Sequence, residues 1–210
     1  MFNKSKIIKK GDEKVTELDE DIGKSLTMLE QKGDVSLRGI FLNSTECVKF
    51  KMADASENQY LLVRIPFRSL APYRKVAAAV IDHLEAQFKW PVIVVANRTI
   101  ISKRAKHHPS QMRPRSRTLK AVHAAMLQDI VSPSNIVGRR QRATMNGALF
   151  EKVYLDPLDQ QEMAEKCEHL SHAYQKLSTH KVAFEFAKPN LHQQRTIAQM
   201  SEKRSKMTKQ

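Results

Sequence analysis

The densest chemistry in this 210-residue chain is cationic. Arg113-Pro114-Arg115-Ser116-Arg117 carries arginine at every charged position. A guanidinium binds phosphate through paired N–H donors and stacks on bases, which an ammonium does not. Pro114 fixes its own φ and biases Arg113 towards extended backbone. Arg98, Lys103, Arg104 and Lys106 precede the run, and Lys120 follows it. No acid occurs from Ala86 to Gln128, so nothing close in sequence neutralises these charges. Further on, Arg139, Arg140 and Arg142 fall on one expected strand, with Arg140 and Arg142 on one face and Arg139 on the other. This pattern fits docking on an anionic polymer. The plainer readings are a solvated charge run or a nuclear-import signal, and for the second group a charged edge that blocks aggregation.

Other chemistry is scarce. The six glycines form neither a G-x-G-x-x-G nor a Walker-type phosphate loop. No nucleophile elbow or H-E-x-x-H motif occurs, and no catalytic residue is assigned. Cys167, His169 and His172 share one expected helix, but a zinc site needs about four ligands and no second cluster supplies the rest. Cys167 reads as a core thiol beside exposed imidazoles, and His107-His108 as part of the basic loop. Neither a metal nor a cofactor is expected. Cys47 and Cys167 lie far apart in the sequence and make no disulfide framework.

The charge map shows what must position the cations. The net charge is +14. Residues 1–85 hold 14 basic and 13 acidic side chains, and residues 151–187 hold 4 and 7. Residues 86–150 hold 12 basic residues and the single acid Asp129, and residues 188–210 hold 6 and the single acid Glu202. A near-neutral scaffold therefore presents one basic surface and one basic tail. So basic a chain implies an anionic partner. The opening residues have no apolar run of secretory type, and the longest apolar stretches, Val76 to Ile81 and Val92 to Ala96, are too short to span a bilayer. No membrane association is expected.

Apolar residues at spacings of three and four predict a helix over 13–32, stopped at Gly33, and a short helix over Val35 to Leu42. Strands are expected at Glu46 to Met52 and Tyr60 to Phe67, joined by a turn over Asp54 to Gln59. Ser69 is placed to cap a helix reaching Phe88, and Val92 to Ala96 reads as a strand buried on both faces. Strand, helix, strand in that order predicts a βαβ unit with parallel pairing. A loop over 101–114 leads to a helix capped by Ser116 and ended by Pro133. Asn146-Gly147 predicts a type I′ hairpin. Asp156-Pro157 then opens a helix with Met163, Cys167, Leu170, Tyr174 and Leu177 on one face, before a last strand over 182–186. The expected class is α/β: a mixed sheet with flanking helices, a βαβ unit, a projecting β-hairpin and a basic C-terminal extension. No internal repeat is visible. One domain over 1–187 carries the basic loop 98–117 and the hairpin 138–155, and 188–210 is an extension expected to lack fixed structure when free. Aromatics are 6% of the chain and none interrupts the basic loop, which favours recognition of nucleic-acid backbone and shape over base stacking.

The segment Arg113 to His123 (RPRSRTLKAVH) resembles a signature of the eukaryotic small-subunit ribosomal protein seven family. The likeness continues through Asp129, Pro133-Ser134, Ile136-Val137-Gly138, Asn146-Gly147 and Leu155-Asp156, and covers about residues 5 to 187. It implies a structural component of the cytosolic small ribosomal subunit, bound to small-subunit rRNA and neighbouring ribosomal proteins. It also implies roles with assembly factors in rRNA maturation and subunit assembly, passage through the nucleolus, and no catalysis. By position, the family's basic loop falls on Arg98 to Arg117 and its basic hairpin strand on Arg139, Arg140 and Arg142. A free-standing DNA- or RNA-binding regulator and an enzyme with an unrecognised Ser/His or Cys/His pair are the alternatives.

Overall fold

The structure, a computed structural model, describes residues 6–9, 14–32, 37–51, 57–104, 112–147 and 149–207. Gly33, the start of the expected short helix, the first half of the turn over 54–59, and Lys106, His107 and His108 fall outside these residues.

Helix α1 (Glu17–Gln31) starts later than its apolar periodicity suggests, because a capping box fixes the start. The Thr16 side chain accepts from the Asp19 N–H at 3.3 Å, and the Thr16 N–H donates to Asp19 at 3.0 Å. Val15 is thereby left outside the helix and exposed. Asp19 also accepts from the backbone N–H and hydroxyl of Thr45 at 2.8 and 2.6 Å, and pairs with Lys9 at 2.5 Å. A nearly inaccessible carboxylate thus ties the helix to the strand that follows and to the N-terminal segment.

No helix occupies 37–42. A turn at Arg38-Gly39 is followed by extended chain, with Leu42 bridged in parallel to Ile7. Gly39 has φ +83°, a conformation that side-chain-bearing residues rarely adopt and that ends any helix there. Leu37, Ile40 and Leu42 are nevertheless buried, so their spacing reports burial and not helicity.

Strands β1 (Ser44–Lys51) and β2 (Glu57–Ile65) pair antiparallel. Helix α2 (Leu70–Phe88) then leads to β3 (Val92–Ala96), which pairs parallel with β2 from Leu61↔Val92 to Ile65↔Ala96. The βαβ expectation holds, and all five β3 residues are buried. Ser69 stands at the N-cap position of α2 without capping it. Its hydroxyl instead donates to the Gly39 carbonyl at 2.9 Å and accepts from the Phe41 N–H at 3.2 Å.

The second half repeats this order. Helix α3 (Leu119–Val131) precedes the antiparallel hairpin β4 (Ile136–Ala143) and β5 (Leu149–Leu155). Helices α4 (Gln160–Met163) and α5 (Cys167–Ser178) then cross to β6 (Lys181–Phe186), which lies parallel to β5. Each half is a helix, a hairpin, a helical crossover and a parallel strand, a topological repeat that residue identities do not betray. The strands form two three-stranded mixed sheets, β1-β2-β3 and β4-β5-β6.

The layers follow from strand alternation. Leu61, Val63, Ile65, Val92 and Val94 face α1 and α2 in one core. Tyr60, Leu62, Ile93 and Val95 face the opposite way, into a second core shared with Leu127, Ile130, Leu170 and Tyr174 of α3 and α5. Val153, Leu155 and Val182 of the second sheet close that core. The α3/α5 layer thus lies between the two sheets. Burying each large aliphatic side chain contributes about 1.5–3 kcal/mol.

Three further expectations need correction. The helix after Asp156-Pro157 is broken: Asp156 caps a 3₁₀ turn by accepting from the Leu158 N–H at 3.1 Å, and residues 164–166 separate α4 from α5. Asn146-Gly147 makes a hairpin but not a type I′ turn. The Gly147 N–H donates to the Thr144 carbonyl at 2.9 Å, and within the turn only Gly147, at +77°, has positive φ. Residues 191–207 form helix α6 in place of unstructured tail. The run from Leu191 to Met207 contains neither glycine nor proline, the Asn190 N–H finds the Gln193 side chain at 3.0 Å, and Ile197 and Met200 line a cavity with the 157–164 segment, so local propensity is joined by tertiary contact. Among the described residues no helix is long and apolar enough to cross a membrane.

Candidate nucleic-acid interface

The basic loop begins where β3 ends. The Ala96 N–H donates to Asp129 Oδ2 at 3.2 Å, and Arg98 Nη1 pairs with the same oxygen. Arg74 Nη2 of α2 reaches Asp129 Oδ1 at 3.3 Å. The single acid of the basic block is therefore buried as a staple among β3, α3 and α2. Arg98 is not displayed with its neighbours, since its side chain is only 9% exposed and engages Asp129. Its guanidinium also lies 5.8 Å from the centroid of the Phe67 ring.

The loop is pinched at its base, where the Ile101 N–H donates to the Arg117 carbonyl at 3.0 Å. Arg115 to Arg117 wind into a 3₁₀ turn after extended Pro114. Thr118, not Ser116, holds the N-cap position of α3. The Thr118 hydroxyl donates to the Arg115 carbonyl at 2.8 Å and leaves the helix start without a side-chain cap. Proline ahead of the turn places Ser116 in the middle of it, too early to cap. Arg115, Arg117 and Lys120 are exposed beside the uncapped first turn of α3, whose N–H groups add a positive dipole end. Lys103 and Arg104 are exposed as well, and Arg113 is half-buried. Lys106 lies outside the described residues.

The hairpin splits its arginines between faces as alternation requires. Arg139 shares the face of Val153 and pairs with Glu151 at 2.6 Å. Arg140 and Arg142 stand on the open face, opposite Lys152 and Phe150. Arg140 lies 5.9 Å from the Tyr154 ring centroid, and Lys152 pairs with Glu185 across β6. An aromatic ring therefore accompanies the hairpin arginines, with Tyr154 arriving from the neighbouring strand by register.

Three further residues near the loop carry no sequence signal: Phe67, Arg74 and Asn97. They share a groove with Arg98, Ser116 and Arg117. Phe67 reads as the last residue of a strand, yet it begins a 3₁₀ turn and is 64% exposed.

The histidines on α5 are not exposed. His172 stacks on Phe50 at 4.5 Å and meets the Tyr60 hydroxyl through Nδ1 at 3.1 Å, and His169 is buried with its edge towards Phe50. Burial lowers the pKa of both. Burial likewise pushes the Cys167 thiol up, with Glu168 adding to the effect. Among the described residues no group of three or more potential ligands could hold a metal ion.

Fold and site together define a basic α/β scaffold that holds a charged turn and a charged hairpin clear of its two cores. The chain belongs to the ribosomal protein S7e family, which matches it over residues 6–186. It is 35% identical to small ribosomal subunit protein eS7 of Avicennia marina over 187 residues, covering 86% of this chain and 95% of that one. It is 34% identical to eS7z of Arabidopsis thaliana over 185 residues, with 86% and 94% coverage. It is 35% identical to eS7 of Dictyostelium discoideum over 190 residues, with 89% and 96% coverage.

Proposed function

We propose that this chain is a structural constituent of the cytosolic small ribosomal subunit. It docks on small-subunit rRNA through the turn Arg113, Arg115 and Arg117, with Lys103, Arg104 and Lys120 around it, and through Arg140 and Arg142 on the hairpin; Lys106, in the same stretch of sequence, completes the basic set. The observation that carries this reading is the exposed arginine turn at the head of α3, inside the segment matched by the family. Arg98 and Arg139 also belong to the basic set, but each meets a carboxylate within the chain, so they shape the patch more than they add free charge. Neighbouring small-subunit proteins and assembly factors are the protein partners. Assembly places the chain in the nucleolus before the cytoplasm, where it supports rRNA maturation without catalysis.

The test is replacement of Arg113, Arg115 and Arg117 by Ala. Binding to small-subunit rRNA should weaken, and the slope of log affinity against log salt should shrink by about 2 to 3, since each phosphate contact contributes ~0.7–0.9. An unchanged salt slope would sink the proposed contact surface.

A further inference from the structure

A groove of about 800 Å³ opens beyond the carboxyl ends of β2 and β3, where the strands release Pro66 and Asn97. Crevices outside the carboxyl ends of parallel strands are common ligand sites in α/β folds. The volume lies within the ~300–1,000 Å³ typical of small-molecule pockets. Its walls combine three kinds of group. Phe67 offers an aromatic surface that is 64% exposed, although packing normally hides such a ring. Arg117 supplies unpaired positive charge, while Arg74 and Arg98 share the buried Asp129, the only acid paired with them among the described residues, and leave a net positive wall. Asn43 and Asn97 add side-chain amides, each carrying both donors and an acceptor. The backbones of both asparagines are fixed, donating at 2.8 Å to the Arg64 and Ile65 carbonyls.

These groups match the parts of one nucleotide. A base stacks on an aromatic ring, amides meet its edge, and a guanidinium takes its phosphate. Arg98 is set as a pedestal: Asp129 holds it, and it lies 5.8 Å from the Phe67 centroid, leaving ring surface for a further π system. The groove is continuous with the RNA-docking turn, because Ser116 and Arg117 belong to both. We infer that the groove captures a single unpaired nucleotide extruded from the RNA that the arginine turn docks on, with its base on Phe67. The inference rests on the RNA-binding reading. It adds a base-stacking element to a surface whose sequence shows only backbone contacts.

The test titrates the purified full-length chain with two RNA hairpins that differ by one unpaired nucleotide, following fluorescence anisotropy at fixed salt. The chain should bind the bulged hairpin about tenfold more tightly than the paired one. Phe67→Ala and Phe67→Leu should each abolish that preference and leave affinity for the paired hairpin unchanged. The ring is exposed, so both variants should keep the parent's circular dichroism and thermal midpoint. Equal binding of the two hairpins by the parent chain, or a preference that survives both substitutions, overturns the nucleotide site alone. Failure of the parent chain to bind either hairpin overturns the RNA reading and the site together.

Discussion

Arginines a few positions apart do different work in this protein. Arg115 and Arg117 are exposed, and truncating either to Ala should change stability by no more than about 0.5 kcal/mol. Arg98 is held by Asp129, a buried carboxylate that also takes the Ala96 N–H and Arg74. Asp129→Ala strands that guanidinium and should cost about 3–5 kcal/mol in urea unfolding. A loss below about 1 kcal/mol would show that the staple is dispensable. The exposed arginines are legible in the sequence because composition alone marks them. The pairing of Arg98 is not, because its partner lies 31 residues on and meets it only after α3 packs on β3. The burial of the α5 imidazoles is likewise not legible in the sequence, since their aromatic neighbours come from β1 and β2. These imidazoles also set a pH dependence. Their folded pKa values lie below the ordinary 6.5, so the unfolded chain takes protons first as pH falls. Thermal stability should therefore be full above about pH 6.5 and decline below it. His169→Phe combined with His172→Phe should flatten that decline, and a slope equal to the parent's would contradict the assignment.

Elements set by one strong local period were readable, and those set by a single backbone angle were not. β2, α2 and β3 announce themselves by a dense apolar strand, a stripe stepping by four and a β-branched run. The segment 37–42 looks helical by spacing but turns at Gly39, and α3 begins three residues after its expected cap. In the hairpin, the Asn-Gly pair located the turn correctly but not its geometry, because the bond from the Gly147 N–H to the Thr144 carbonyl closes a different set of residues. Gly147 alone requires left-handed backbone there, so Gly147→Ala should destabilise by about 1–2 kcal/mol. Gly138→Ala places its Cβ at ordinary contact, 3.7 Å from Tyr154, and should be nearly neutral. Equal effects in a chemical denaturation series would show that the turn is not strained by a side chain.

Across the whole molecule, the net +14 separates into parts with distinct structural supports. The central block is carried by the entry to α3 and by the β4–β5 hairpin, and the terminal block by α6. The α/β class was legible, whereas the division into two sheets around a shared helix layer was not. Strand pairing between distant segments leaves no local pattern, and the two topologically equivalent halves share no evident residue repeat. This architecture buries Asp129, the single acid of the central block, while the 115–117 turn remains exposed and Glu185 pairs with Lys152 on the open face of the hairpin. The central claim is that this surface seats the chain on the small ribosomal subunit. Sucrose-gradient fractionation of cells expressing the tagged full-length chain beside its Arg113, Arg115 and Arg117 to Ala variant tests it most directly. The parent should sediment with small subunits and the variant should shift to the top of the gradient. A parent chain absent from the small-subunit fractions would contradict the account.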